Sequence, residues 1–495
     1  VVPAVTPGTT SSGSSSHDEP ELVVPRGLHL RWWFWLLIVV VLAISALVAV
    51  HIAGMRRLDD LQVELRGLGY ATTMEEFVAA APPVDRDRQD RFRRIMESRV
   101  PWMEDISYAR PANTLSEQRH LPKDIERRDR GLRDGAADMQ AITAIFDEGP
   151  VEVSMFGWCE RDPAKLRNIS LSTAAATPLP NLLAVRAFAN WWSVRACLDS
   201  DPEPHLRNLD RLVASMNRPG VLIDAMIVVA VSSIRDQTYL WLATRGRLTD
   251  ARLHDWSVEE PRHLAWCAAG FTGERSVFHE PFSRMVWDFS ALTGSPGGMI
   301  SDAWLFLRLW PTQGHECAYG ISSLAGVEGR LLGRPAPAIR EMPFGYRGMF
   351  IAVVMPNLFE SVTTAAEAAN QHRMNRLAAV IALHHERTGA LPVLNNLPAT
   401  LGPDLPPLLY ETFPPHRFRL GIDPKGPLPP SVPADRWTSK DYASAIGLPP
   451  VKQAQSPNRR WSMELDLAAI LVPPPEPKPR VAKPPASSPQ LPASP

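Results

Sequence analysis

The sequence predicts a mainly α protein: a single-pass transmembrane helix, then an antiparallel helical body, bundle or stacked helix pairs. A small irregular α+β unit follows near the C-terminus, and both termini are expected to be disordered. Three observations carry this reading. Residues 32–53 form one apolar run in which Ser45 and His51 are the only polar side chains. The middle of the chain repeats apolar residues at three- and four-residue spacing between Pro and Gly breaks. The last third crowds many of the 49 prolines into short turns.

Residues 1–30 are rich in Ser, Thr, Pro and Gly, a composition that cannot bury enough apolar surface to order itself. The chain starts Val1-Val2 rather than Met, which leaves room for residues before it. The apolar run reaches about 33 Å at roughly 1.5 Å per helical residue, enough to cross a hydrocarbon core of about 30 Å. Trp32, Trp33, Phe34 and Trp35 stand where an interfacial aromatic belt belongs. A cleaved signal peptide has a shorter apolar stretch nearer the N-terminus, and a core helix is rarely so free of polar positions. A retained anchor over residues 31–55 is therefore expected, with the bilayer as partner through residues 32–53. Arg26 and Arg31 precede the run and Arg56, Arg57 and Arg66 follow it, so charge alone does not orient it.

Residues 56–390 are expected to make the helical body. The anchor helix continues to Gly67, and a short helix over residues 74–81 is capped by Thr72 or Thr73, with Glu75 and Glu76 in its first turn. Residues 85–97 are densely charged, with Phe92, Ile95 and Met96 on one side: a solvated helix with a narrow buried face. Leu182, Val185, Ala189, Trp192 and Cys197 share one helical face, and Leu206, Leu209, Leu212, Val213 and Met216 share the next. Residues 221–242 are apolar nearly all round, but Asp224, Ser232, Ser233, Arg235 and Asp236 interrupt them. They predict a central buried helix, closed by Gly246, with Thr249 capping its successor. Residues 270–345 are punctuated by Gly and Pro and are expected to hold little regular structure. A long helix over residues 358–387 presents Val362, Ala366, Ala369, Leu377, Val380 and Ile381 on one face and ends at Gly389.

Residues 391–472 form the turn-rich unit, with strands expected at 418–420 and 461–465 and a turn at Asp423-Pro-Lys-Gly426. Leu391, Leu394, Leu397, Leu401, Leu405 and Leu408 are expected to fold back onto the long helix. Residues 473–495 are an extended Pro-rich tail, a spacer more than a ligand for an aromatic module.

Three segments carry a resemblance. They are Leu61-Gln-Val-Glu-Leu-Arg-Gly-Leu-Gly-Tyr-Ala-Thr-Thr-Met-Glu-Glu-Phe77, the helical middle from Leu179-Pro-Asn-Leu182, and the stretch from Arg376 through His384-His385-Glu386 and Gly389 to Pro392. In these the chain resembles membrane-anchored proteins common in planctomycete-type bacteria, a group to which no activity is attached. The third segment also resembles the end of type II secretion pseudopilins, where a long helix leads through a Gly-x-x-Pro turn to an Asp-Pro turn. The span here begins near residue 32 and lacks the pseudopilin processing site. The resemblance implies that residues after the span face away from the cytoplasm, in the envelope of a bacterium with the anchor in its inner membrane.

Fifty-two Lys and Arg against 53 Asp and Glu give a net charge of −1, which argues against a nucleic-acid binder. Cys159, Cys197, Cys267 and Cys317 form no C-x-x-C pair, so the pattern is that of buried thiols, or of disulfides if the body lies outside the cytoplasm. Adjacent His384 and His385 point about 100° apart on a helix and cannot share a metal as an i, i+4 pair does. His315-Glu316-Cys317 holds three ligand types without the spacing of a known site. Neither a G-x-S-x-G elbow nor a phosphate-cradling Gly loop is present. The 15 tryptophans, among them Trp191, Trp192, Trp241, Trp256, Trp266, Trp287, Trp304 and Trp310, read as core fillers, or as an aromatic groove for a peptide or glycan. No residue is assigned as catalytic, cofactor-binding or metal-binding. The expected role is a non-enzymatic envelope protein acting through contacts with other envelope proteins; the alternative is a membrane-tethered hydrolase or glycan-acting enzyme.

Overall fold

A computed structural model describes residues 26–79, 85–98, 100–107, 122–153, 181–259, 261–276, 311–340, 342, 349–393, 408–413, 417–422 and 462–466. The protein is mainly helical. Its elements are α1 (Arg26–Gly67), α2 (Met74–Ala79), α3 (Arg86–Glu97), α4 (Pro101–Ser107), α5 (Pro122–Asp134) and α6 (Ala136–Glu148). Then come α7 (Leu182–Leu198), α8 (Glu203–Ser215), α9 (Leu222–Ala243), α10 (Asp250–Val258), α11 (263–276), α12 (Gln313–Leu332) and α13 (Met349–Thr388). Three strands close the described chain: β1 (Leu408–Phe413), β2 (Arg417–Ile422) and β3 (Ser462–Asp466).

One helix carries both the apolar segment and the first element of the body. Among the described residues the apolar part of α1 is largely uncovered: Trp32 is 72% exposed and Leu42 63%. Past Gly54 the same helix buries Leu58, Leu61 and Leu65 against Cys317, Ala318, Ile321 and Ala325 of α12. A helix this apolar and this uncovered is long enough to cross a membrane. The change from uncovered to packed at Gly54 marks where a bilayer would end and the aqueous body begin.

Local chemistry sets the short elements as expected. Thr73 Oγ1 accepts from Glu76 N at 3.1 Å, and Glu76 Oε2 accepts from Thr72 N at 2.6 Å, a reciprocal cap at the start of α2. Asp85 and Thr249 cap α3 and α10 through Arg88 N and Arg252 N. Asp224 turns back to accept from Gly220 N at 2.9 Å, fixing the start of α9. Gly246 and Gly389 both have positive φ, +61° and +71°, as helix ends that reverse the chain require.

The core is built around α7, which packs against α9, α8, α4 and α3. Phe188 of α7 stacks on Trp102 at 6.1 Å and meets Phe92 edge-on at 6.2 Å, while Trp192 meets Phe146 at 5.8 Å. Phe92 and Met96 are buried from the charged α3, as the narrow apolar face predicted. Truncating a side chain as enclosed as Trp192 costs about 3–5 kcal/mol.

Two expectations are corrected. Residues 270–345 are not poor in structure throughout: α11 runs to residue 276, and α12 is a 20-residue helix. Gly329 of α12 is a contact point rather than a breaker, because a β-carbon there would lie 2.7 Å from Tyr70 Oη. The long helix starts at Met349 rather than residue 358, so it runs through Pro356, which has no N–H to give the carbonyl four residues back. Packing of α13 along α9 outweighs that loss.

The strands form an antiparallel sheet in the order β1-β2-β3, with Leu420 opposite Tyr410 and Met463. Alternation puts Phe418 and Leu420 into the main core, where β2 meets α13. The strands expected at 418–420 and 461–465 correspond to β2 and β3, whereas β1 was unforeseen. Leu391 packs on the core as predicted, and Tyr410 Oη donates to Pro392 O at 3.0 Å. Leu394, Leu397, Leu401 and Leu405, the turn at 423–426, and the tails 1–25 and 467–495 lie outside the described residues.

Candidate functional site

The densest convergence of titratable groups lies where α9, α10, α11 and α13 meet. Each helix there is amphipathic or apolar, so a polar residue on an inward face must find its partner on another helix. Asp236 of α9 is that residue. Its Oδ2 accepts from His372 Nδ1 of α13 at 2.6 Å, and its Oδ1 accepts from Trp256 Nε1 at 3.2 Å and from Arg235 at 3.2 Å. Arg235 also reaches Glu259 at 3.0 Å and stands 3.7 Å from Asp210. Asp210 accepts from Tyr239 Oη at 2.8 Å and from Arg252 at 2.9 Å, and Arg252 grips Glu203 as well. Arg376 donates to the Glu259 carbonyl from the far side. His263 of α11 completes the centre, its ring 5.6 Å from that of His372 and 5.2 Å from that of Trp266.

Asp236, His263 and His372 are each only 1% exposed. Burial alone would push the Asp236 carboxyl up, but His372 and Arg235 outweigh it and hold the group well below the usual carboxylate range. Burial pushes His263 down to about 3, so its ring is neutral at ordinary pH. Asp210 is raised by burial, against the pull of Arg235 and Tyr239. An Asp–His pair of this geometry can orient an imidazole and set its tautomer. Among the described residues no side chain bonds to His372 Nε2 or to either nitrogen of His263.

A second buried ion pair ties α11 and α12 to the end of α1. Arg275 of α11 meets Glu328 of α12 at 2.9 Å, donates to Ala71 O in the turn after α1, and lies 5.0 Å over the Tyr70 ring. Thr272 donates to Glu328 Oε1 at 2.8 Å, and Tyr70 Oη donates to Pro335 O at 2.8 Å. Closer to the span, α1 and α12 cross backbone to backbone at Gly54 and Gly314. A β-carbon on Gly314 would lie 2.5 Å from Met55 N and 2.7 Å from Gly54 O. Beside them His315 bonds to the Val50 backbone inside the apolar run. The first turn of α12 therefore abuts α1 where it leaves its apolar segment.

The residues singled out in sequence are placed as follows. His385 is buried and His384 exposed, in line with their directions about 100° apart on α13. His315, Glu316 and Cys317 are all buried in α12 and face different neighbours, with Glu316 Oε1 accepting from Thr312 at 3.2 Å. Cys197, Cys267 and Cys317 are free buried thiols, each pushed up to about 12 by burial; Cys159 lies outside the described residues. Trp191, Trp192, Trp256 and Trp266 are core side chains, and Trp241 is covered by the Arg245 guanidinium at 3.9 Å. Trp287, Trp304 and Trp310 lie outside the described residues.

Sequence reading noted Arg235 and Asp236 only as breaks in an apolar helix and passed over His263 and His372. The signal available was a charged pair in the middle of α9, which demands partners from other helices. No protein-family model, curated protein or solved structure matches the chain.

Proposed function

We propose that this is a single-pass envelope protein whose helical body is held in a fixed pose at the membrane surface and acts as a non-enzymatic scaffold for other envelope proteins. The observation that carries the reading is the shared helix. α1 leaves its apolar segment and enters the body without a linker, and α12 clasps it at Gly54 and again through Tyr70, Arg275 and Glu328. A tethered enzyme gains from a loose linker that lets it search for substrate, whereas a scaffold gains from a fixed orientation. The sealing of the Asp236 centre supports the same reading, because its charges are used in joining four helices.

The orientation follows from the family resemblance: N-terminus in the cytoplasm, body outside the inner membrane. Protease added to spheroplasts removes the body and spares the Ser-rich tail if this is right; the reverse pattern overturns it. The enzymatic alternative rests on the Asp236–His372 pair. Purified full chain and His372→Asn are compared on ester, peptide and glycan substrates. The scaffold reading predicts no turnover by either, and turnover by the wild type that the variant loses would replace it with the hydrolase reading.

A further inference from the structure

His263 opens α11 and is sealed at the centre of the body, 1% exposed. Among the described residues neither of its ring nitrogens has a hydrogen-bond partner. Its neighbours are rings and cations. The Trp266 ring lies 5.2 Å away and the His372 ring 5.6 Å, centre to centre. Arg235 of α9 and His372 and Arg373 of α13 all act against a positive charge on it. Arg376 of α13 brings another guanidinium to the same centre, bonded to the Glu259 carbonyl. Asp236 of α9 is the carboxylate that favours the charge, but both its oxygens already accept, from His372, Trp256 and Arg235. Glu259, at the end of α10, is engaged by Arg235.

A neutral imidazole fits this place and an imidazolium does not. The charged ring would carry two donors without an acceptor, and a positive charge among guanidinium groups where water screens little. Burial and those cations outweigh Asp236 and hold the ring at about 3, against an ordinary 6.5. Once α11 lifts away, water solvates the ring and it takes a proton at its ordinary value. The closed value lies below the open one, so the joint is fully stable above about pH 6.5. Below that its closing constant falls about tenfold per pH unit, until the closed form titrates near about pH 3. Glu274, near the other end of α11, works the other way: burial raises its carboxyl, so acid strengthens that end.

We propose that α11 is an acid-released strap: a proton taken by His263 detaches it from α9 and α13 while the core around α7 stays folded. The two ends of α11 give the release a consequence. His263 is its first residue, and Arg275 in its last turn holds Glu328 of α12 and the Ala71 carbonyl just after α1. Lifting the strap therefore loosens the tie between α12 and the end of α1.

The test is amide hydrogen exchange of the full chain in detergent at about pH 7 and about pH 5, corrected for the intrinsic pH dependence of exchange and read by mass spectrometry. Peptides from α11 report the strap, and peptides from α7 serve as the internal reference. His263→Gln keeps a neutral polar side chain, cannot take the proton, and leaves Glu274 in place. Wild-type protection of α11, divided by that of His263→Gln at the same pH, should fall about 20–30-fold between the two conditions. Protection of α7 should hold. A ratio that does not change with pH overturns the proposal, because the proton then acts elsewhere. Loss of protection in α7 together with α11 also overturns it, as global unfolding rather than release of a strap. Circular dichroism reports whether the variant folds. Should it not, the wild type decides alone: α11 protection that falls while α7 holds supports the strap, and unchanged α11 protection overturns it.

Discussion

Replacing Gly314 by alanine tests the clasp between anchor and body at a single atom. The added β-carbon would stand 2.5 Å from Met55 N and 2.7 Å from Gly54 O, and all of these neighbours are backbone. A carbon needs about 3.5 Å from such atoms, so α1 and α12 must separate by about 1 Å. That separation loosens Leu58, Leu61 and Leu65 from Cys317, Ala318 and Ile321 below the crossing. Overpacking of this kind costs about 1–3 kcal/mol, seen as a fall of a few degrees in Tm. Gly326→Ala in the same helix is the control, because a β-carbon there meets nothing within 4 Å. Its effect should be neutral or stabilising by up to about 1 kcal/mol, the usual gain of alanine over glycine in a helix. Both variants are measured by thermal unfolding of the full chain in detergent. Equal Tm values for Gly314→Ala and Gly326→Ala would refute the backbone crossing.

Removing one member of the Arg275–Glu328 pair, as in Glu328→Leu, strands a buried guanidinium. It should cost about 3–5 kcal/mol by denaturant unfolding, while Arg275→Met combined with Glu328→Leu should cost clearly less. Gly389→Val should destabilise the join between α13 and the sheet by about 1–3 kcal/mol. Open space surrounds the position, so the whole effect comes from φ at +71°. Unchanged unfolding would show that the helix does not end there. The hydrogen bonds from Arg130 hold the Asp105 carboxyl below its usual range. Its contribution is thus complete above the unfolded carboxylate pKa of about 3.9 and is lost as pH falls through the depressed folded value. Asp105→Asn should flatten that acid limb in a stability–pH series; an acid limb identical to the wild type would remove Asp105 from the account.

Periodicity and caps made most helices legible, because α7, α8 and α9 each carry an apolar pattern bounded by Pro, Gly or a capping residue. α12 was not legible. Its Gly314 and Gly329 look like loop residues until the α1 backbone is seen against the first and the Tyr70 side chain against the second, and those approaches are tertiary facts. The start of α13 was missed for a related reason, since Pro356 signals a boundary locally and only packing along α9 overrides it. The polar centre was half visible. Arg235 and Asp236 announce buried charge in an apolar helix, but their partners Glu259, His263 and His372 lie up to 136 residues away and no local pattern selects them. β1 was hidden because Leu408–Phe413 follows a run of prolines and alternates only weakly.

A body held in a fixed pose at the membrane surface requires α1 to be kept as a bilayer-spanning helix that runs into it. Alkaline carbonate extraction of membranes, followed by intact mass of the full protein in the pellet, tests this most directly. The predicted result is a membrane-retained chain that still contains Trp32–Gly67. Release of the protein into the supernatant, or a mature chain cleaved after the apolar run, would contradict it.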